Sequence, residues 1–173
     1  MHVTSHETFK CYDTSRKVMM ALPDRKSIDV SAPNLMSICI DENQNHEKQG
    51  RFYHRYSVEP VLFSDLNNLL ILADRIMDKI DYPQASTRSR NFCDTGKNMR
   101  EKGAERVKST DEILNETGKK ATFVVNVQYR QNATWQGKVM WAEAGKSCNF
   151  RSALELLKLI DGALDEAEAG VQG

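Results

Sequence analysis

The chain repeats itself, and the repeat narrows the folds open to it. Residues 36–78 align without a gap on residues 123–165, at an offset of about 87 positions. Gln44-Asn45 meets Gln131-Asn132, Gln49-Gly50 meets Gln136-Gly137, Phe63 meets Phe150, and Leu69-Leu70 meets Leu156-Leu157. Leu72, Asp74 and Asp78 meet Leu159, Asp161 and Asp165. Roughly ten identities fall in about 43 positions, and they bring a turn, a helix start and a helix face into register together. A tandem duplication accounts for this pattern; scattered chance identity does not.

Each unit has the same internal order. In the first, Met36, Ile38 and Ile40 alternate with Ser37, Cys39 and Asp41, the period of a half-buried strand. A polar hairpin loop follows at 41–49, and Gly50 opens a return strand over 51–58. Pro60 limits any third strand to a short or edge position. Ser64 is placed to cap a helix, and Leu66, Leu69, Leu70, Ala73, Ile76, Met77 and Ile80 follow at helical spacing. Pro83 ends that helix.

The second unit is the cleaner copy. Phe123, Val125, Val127 and Tyr129 share one strand face, and 131–136 form the loop. Gly137 opens the return strand carrying Val139 and Trp141, and 147–150 form a third short strand. Ser152 with Glu155 makes a capping box ahead of the stripe Leu154, Leu157, Ile160, Ala163 and Leu164. One β-β-(β)-α unit cannot bury both its sheet face and its helix stripe. The expected fold is α+β, with the two units sharing an antiparallel sheet and two helices packed on one face. The expected organisation is an N-terminal arm (1–35), a first unit (36–83), a basic linker with a short helix (84–121), a second unit (122–166) and a flexible tail (167–173).

In a chain of 173 residues this makes one compact domain or two intimate halves. The formal net charge is zero, which argues against a protein dominated by non-specific phosphate binding. No stretch has the length and apolarity of a membrane span, and the first twenty residues do not form a signal peptide. Cys11, Cys39, Cys93 and Cys148 show no metal or redox spacing and read as reduced thiols of a cytoplasmic protein.

Positive charge gathers in the linker: Arg88, Arg90, Lys97, Arg100, Lys102, Arg106 and Lys108 outnumber the acids around them. They are the candidate phosphate contacts of a DNA- or RNA-binding regulator, although Phe92 alone is available there for base stacking. Ser109 with Glu112 makes a further capping box and predicts a short helix over 110–115.

No catalytic or metal motif emerges. Gly145-Lys146-Ser147 resembles the end of a phosphate loop, but Met140 stands where that loop needs glycine, so a hairpin turn is expected. His2, His6, His46 and His54 lack ligand spacing. Asp74 and Asp161 recur, and solvated or capping roles on the helix surface are expected for them. Gly50 and Gly137 are expected to serve a positive φ or a bulge. The repeated loops supply the candidate partner-binding residues: Gln44 and Asn45 in one, Gln131, Asn132, Trp135 and Gln136 in the other. A tryptophan in a polar loop either folds back on the sheet or anchors a partner. No cofactor is implied.

Two resemblances bear on function. The element order of 97–165 is similar to that of the double-stranded-RNA-binding domain, but Asn149-Phe150-Arg151 stands where that family carries a lysine cluster. Tyr82-Pro83-Gln84 with Ser86-Thr87, Thr134-Trp135-Gln136-Gly137, and Phe150-Arg151-Ser152 with Leu154-Glu155-Leu156 resemble a family of small proteins from clostridia and related Firmicutes that accompany plasmids and conjugative elements. That resemblance covers about 36–165 and carries no catalytic residues. It implies a non-catalytic inhibitor of a bacterial defence nuclease, of the anti-CRISPR type, binding a larger protein or ribonucleoprotein. A homodimer is a further possibility.

Overall fold

The computed structural model describes residues 28–44, 47–86, 104–132 and 134–171. They form an α+β fold with a six-stranded antiparallel sheet and, among the described residues, three helices. The strands are β1 (Met36–Gln44), β2 (Glu47–His54), β3 (Val61–Phe63), β4 (Ala121–Tyr129), β5 (Gln136–Trp141) and β6 (Lys146–Phe150). The helices are α1 (Leu66–Ile80), α2 (Thr110–Leu114) and α3 (Ala153–Val171). The strand order is β3-β2-β1-β4-β5-β6, with β1 and β4 paired at the centre.

Register repeats across that centre. Ile40 pairs with Gly50 and Gly50 with Phe63; Val127 pairs with Gly137 and Gly137 with Phe150. A bulge follows Ile40 in one hairpin and Val127 in the other. The two glycines are fixed by close approach rather than by a positive φ. A Cβ on Gly50 would lie 2.0 Å from the Cys39 carbonyl oxygen, and one on Gly137 would lie 2.1 Å from that of Asn126. Gly145, by contrast, has φ 62° in the β5–β6 turn and donates its N–H to Ala142, as a hairpin turn requires.

Both long helices pack on one face of the sheet. The core joins Leu69, Ala73 and Met77 of α1, and Leu156, Ile160 and Leu164 of α3, to the strand residues Ile38, Phe52, Phe123 and Val125. The recurrence at every fourth position gives each helix a narrow buried stripe. Each such large side chain removed from water contributes roughly 1.5–3 kcal/mol. The stripe of α3 differs from the sequence expectation: Leu154 is exposed and Leu156 is buried. Leu156, Ile160 and Leu164 line up at spacing four, which rotates Leu154 toward water. The caps match each other. Asp65, rather than Ser64, accepts from the Asn68 N–H at 2.8 Å, and Ser152 accepts from the Glu155 N–H at 3.0 Å. The Glu155 carboxylate accepts from the Arg151 N–H, one residue before the position a capping box uses.

The opposite face is covered as well. Ile28 and Leu35 pack on Val124 and Met140, and Ile113 of α2 packs on Cys39 and Tyr53. Residues 28–35 of the expected loose arm are thus part of the packed fold. Asn126 and Thr122, on this face of β4, are buried too. The expected linker helix is present as α2, with the full Ser109–Glu112 capping box. The expected flexible tail is helical through Val171.

Candidate functional site

Trp135 sits in the loop between β4 and β5, yet it is buried in the main core. Of its two possible roles, the position matches a side chain folded back on the sheet, and it offers no exposed anchor. Its indole N–H donates to the Asp74 carboxylate at 3.2 Å. Arg130, at the other end of the loop, is equally buried. Its guanidinium donates to Asp74 at 3.1 Å, to Asp78 at 2.6 Å and to the Pro83 carbonyl at 2.7 Å. One carboxylate therefore holds both ends of the loop against α1.

Between those fixed ends the chain turns outward. Asn132 has φ 54°, a left-handed conformation that asparagine tolerates. Its N–H donates to the Ser86 hydroxyl at 3.1 Å, and the Thr134 N–H donates to the Gln131 carbonyl at 3.1 Å. Gln131 and Asn132 are exposed, while Gln136 starts β5 and is half-buried. The loop thus presents two amide side chains on a turn held from beneath.

The two repeated loops do not form one surface. Gln44 ends β1 against Glu47, and Asn45 lies outside the described residues. Because β1 and β4 run antiparallel, with Met36 opposite Val125 and Ile40 opposite Ala121, their loops leave opposite ends of the sheet. At about 3.3 Å per residue the separation is roughly 40 Å. Of the candidate residues, Gln44 is therefore not brought together with Gln131 and Asn132.

The repeated acids keep the water-exposed helix-surface positions expected of them, and each also ties the two halves together. Asp74 serves Trp135 and Arg130 as described, and Asp161 of α3 pairs with the buried Lys48 of β2 at 2.5 Å. Asn43 of β1 likewise donates to Glu168 of α3 at 2.8 Å. Each helix is fastened to the hairpin of the other half. Sequence reasoning missed Lys48, Asn43 and Arg130. Their signal lies in the repeat alignment, where Lys48 faces Trp135 and Asn43 faces Arg130.

The basic linker is described at its two ends, residues 84–86 and 104–121. Arg88, Arg90, Lys97, Arg100 and Lys102 lie outside the described residues. Arg106 is exposed, whereas Lys108 is half-buried with its ammonium 4.8 Å from the Tyr53 ring centre. Arg55, which no motif singled out, is buried and donates to the Val30 carbonyl and the Thr110 hydroxyl, both at 2.6 Å. It clasps residue 30 to the start of α2.

Burial shifts Cys39 and His54 strongly. Burial pushes the Cys39 thiol up to about 12, which leaves it an inert thiol. Burial pushes the His54 imidazole down to about 4, helped by the nearby Lys79 and Lys108 charges. Its Nδ1 accepts from the Tyr56 N–H at 3.1 Å. Among the described residues no group of three or more His, Cys, Asp or Glu side chains is placed to hold a metal ion, and no helix is long and apolar enough to cross a membrane. No family model matches the chain, and neither a curated protein nor a solved structure matches it.

Proposed function

We propose that the protein is a non-catalytic binding protein, and that the Gln131–Asn132 turn is part of its docking surface. The observation that carries this reading is the way the turn is held. Trp135 and Arg130 fix its two ends through Asp74, and Ser86 holds its middle, while Gln131 and Asn132 remain free for a partner. Residues held at Arg130, Asn132 and Trp135 have less entropy to lose on docking, which favours affinity without a large area.

The partner class in this proposal is a bacterial defence nuclease, bound in the cytoplasm as an anti-CRISPR protein from a mobile element would bind it. That step rests on the resemblance of the Tyr82-Pro83-Gln84, Thr134–Gly137 and Phe150–Leu156 segments to the mobile-element family. The two halves are proposed to descend from a tandem duplication. Support comes from the shared offset of Gly50 and Gly137, of Leu69 and Leu156, and of Asp65 and Ser152 in matching structural roles.

The test is capture on the immobilised full chain from a clostridial lysate, with and without nuclease treatment, followed by titration of the recovered effector in purified form. The reading expects a large protein that survives nuclease treatment, and an affinity reduced at least about tenfold in the Gln131→Ala/Asn132→Ala double variant. Recovery of nucleic acid alone, with binding that falls steeply as salt rises, would overturn it in favour of a DNA- or RNA-binding regulator acting through the basic linker.

A further inference from the structure

A cavity of about 260 Å³ opens between α3 and the β5–β6 edge of the sheet. Its floor is apolar, built from Phe123, Val139 and Trp141, with the Phe123 and Trp141 rings stacked at a centroid distance of 6.4 Å. Its α3 wall contains Gly162 and Ala163. A Cβ added to Gly162 would meet nothing within 4 Å, so the helix is cut back to backbone beside the opening.

The space results from substitutions between the two halves. At the offset of the repeat, Val139 stands opposite Phe52, Ala163 opposite Ile76 and Gly162 opposite Arg75. Phe52 is fully buried in the first half and Ile76 packs against the same core, so large side chains occupy there what the second half leaves open. Glycine inside a helix costs about 1 kcal/mol relative to alanine, and an unfilled apolar volume forfeits packing besides. Two losses of core volume therefore fall at one spot in the second half, Val139 for Phe52 and Ala163 for Ile76, beside a helix position without a side chain.

The rim is cationic. Lys146 is bound to Glu166 at 2.5 Å across the mouth, and its ammonium lies 5.7 Å from the Trp141 ring centre. Lys158, one turn from Gly162 on α3, has no ion pair among the described residues. An aromatic floor calls for a flat apolar ring system, and the surplus cation calls for an acidic group on it.

We propose that this pocket binds a small ring-bearing organic anion, its rings on Phe123, Val139 and Trp141 and its acidic group toward Lys158. The site is separate from the Gln131–Asn132 turn and does not depend on the docking function proposed for it.

The probe is 1-anilinonaphthalene-8-sulfonate, with the uncharged N-phenyl-1-naphthylamine as its comparator, titrated into the full chain by fluorescence. One saturable site per chain is expected. Val139→Phe with Ala163→Ile, which installs the residues of the first half, should weaken binding at least about tenfold. Gly162→Leu should do the same without disturbing the core, since its side chain enters open space and leucine favours the helix. Lys158→Gln should weaken the sulfonate several-fold and leave the uncharged dye unchanged. Equal sulfonate affinity in the filled variants, with folding checked by circular dichroism, would overturn the site. An absence of saturable binding would do so too. Unchanged sulfonate affinity in Lys158→Gln would overturn the anion assignment.

Discussion

Lys48 holds the place in the first hairpin that Trp135 holds in the second, and both side chains reach across to a carboxylate on the other half's helix. Trp135 meets Asp74, and Lys48 meets Asp161, which is the repeat counterpart of Asp74. The chemistry differs, an indole N–H against an ammonium, while the position of the donor and the identity of the acceptor stay fixed. Neither half could form its tie alone, so the halves are expected to fold as one cooperative unit.

Truncating Trp135 tests whether that residue belongs to the core. Trp135→Ala removes a buried ring and one of the two donors to Asp74, and should cost about 3–5 kcal/mol. Trp135→Phe keeps most of the volume and leaves Arg130 on Asp74, so about 1–2 kcal/mol is expected. Urea unfolding of the two variants measures this. Full stability in Trp135→Ala would show that the ring adds nothing to the fold.

At Lys48 the two partners are unequally exposed, with side-chain accessibilities of 8% for Lys48 and 53% for Asp161. Asp161→Ala would strand a buried ammonium, whereas Lys48→Met would leave a carboxylate that water can reach. Asp161→Ala should therefore cost roughly 1–3 kcal/mol, and Lys48→Met less than about 1 kcal/mol. The reverse order in urea midpoints would mean that the ammonium does not depend on Asp161.

How far the fold was legible depends on whether a residue's fate is decided locally. The presence of the strands, the α1 stripe and α2 follows from period and capping: Met36, Ile38 and Ile40 alternate, and Ser109 and Glu112 close a box on their own turn. The strand ends do not: β1 runs on to Gln44 and β2 starts at Glu47, inside the loop expected over 41–49. The fastening of the halves was not legible, because nothing near Lys48 or Arg130 in sequence names a carboxylate on a distant helix. Nor was the cover of residues 28–35, where Ile28 and Leu35 follow no period and gain meaning only against Val124 and Met140. The candidate loop was half legible. Its repeated glutamine and asparagine marked it, but only the antiparallel pairing of β1 and β4 showed that its counterpart lies at the other end of the sheet.

His54 gives the stability a pH dependence of definite sign. Its folded pKa is pushed from 6.5 down to about 4, so a proton in that window binds the unfolded chain more readily than the folded one. The His54 contribution is fully present above about pH 6.5 and is lost as the pH falls toward 4, at most about 3 kcal/mol in all. His54→Gln keeps a side-chain acceptor for the Tyr56 N–H and cannot titrate. Urea midpoints between pH 7.5 and about 4.5 should fall more steeply for the parent than for this variant. Parallel slopes would mean that the imidazole takes up its proton in the folded state.

The glycines separate close approach from mere flexibility. Gly50→Ala and Gly137→Ala each drive a methyl group into a neighbouring carbonyl oxygen, at 2.0 Å and 2.1 Å. The strands must part to admit it, and because both sites sit in the same register beside a bulge, the two losses should be alike, about 2–4 kcal/mol each. Gly162→Ala places the same methyl in open space on α3 and should raise stability by up to about 1 kcal/mol through helix propensity alone. Thermal or urea unfolding of the three variants makes the comparison. A gain at Gly162 beside equal losses at Gly50 and Gly137 is the expected pattern, and an unaffected Gly137→Ala would mean that β4 and β5 are not held as close as the register requires.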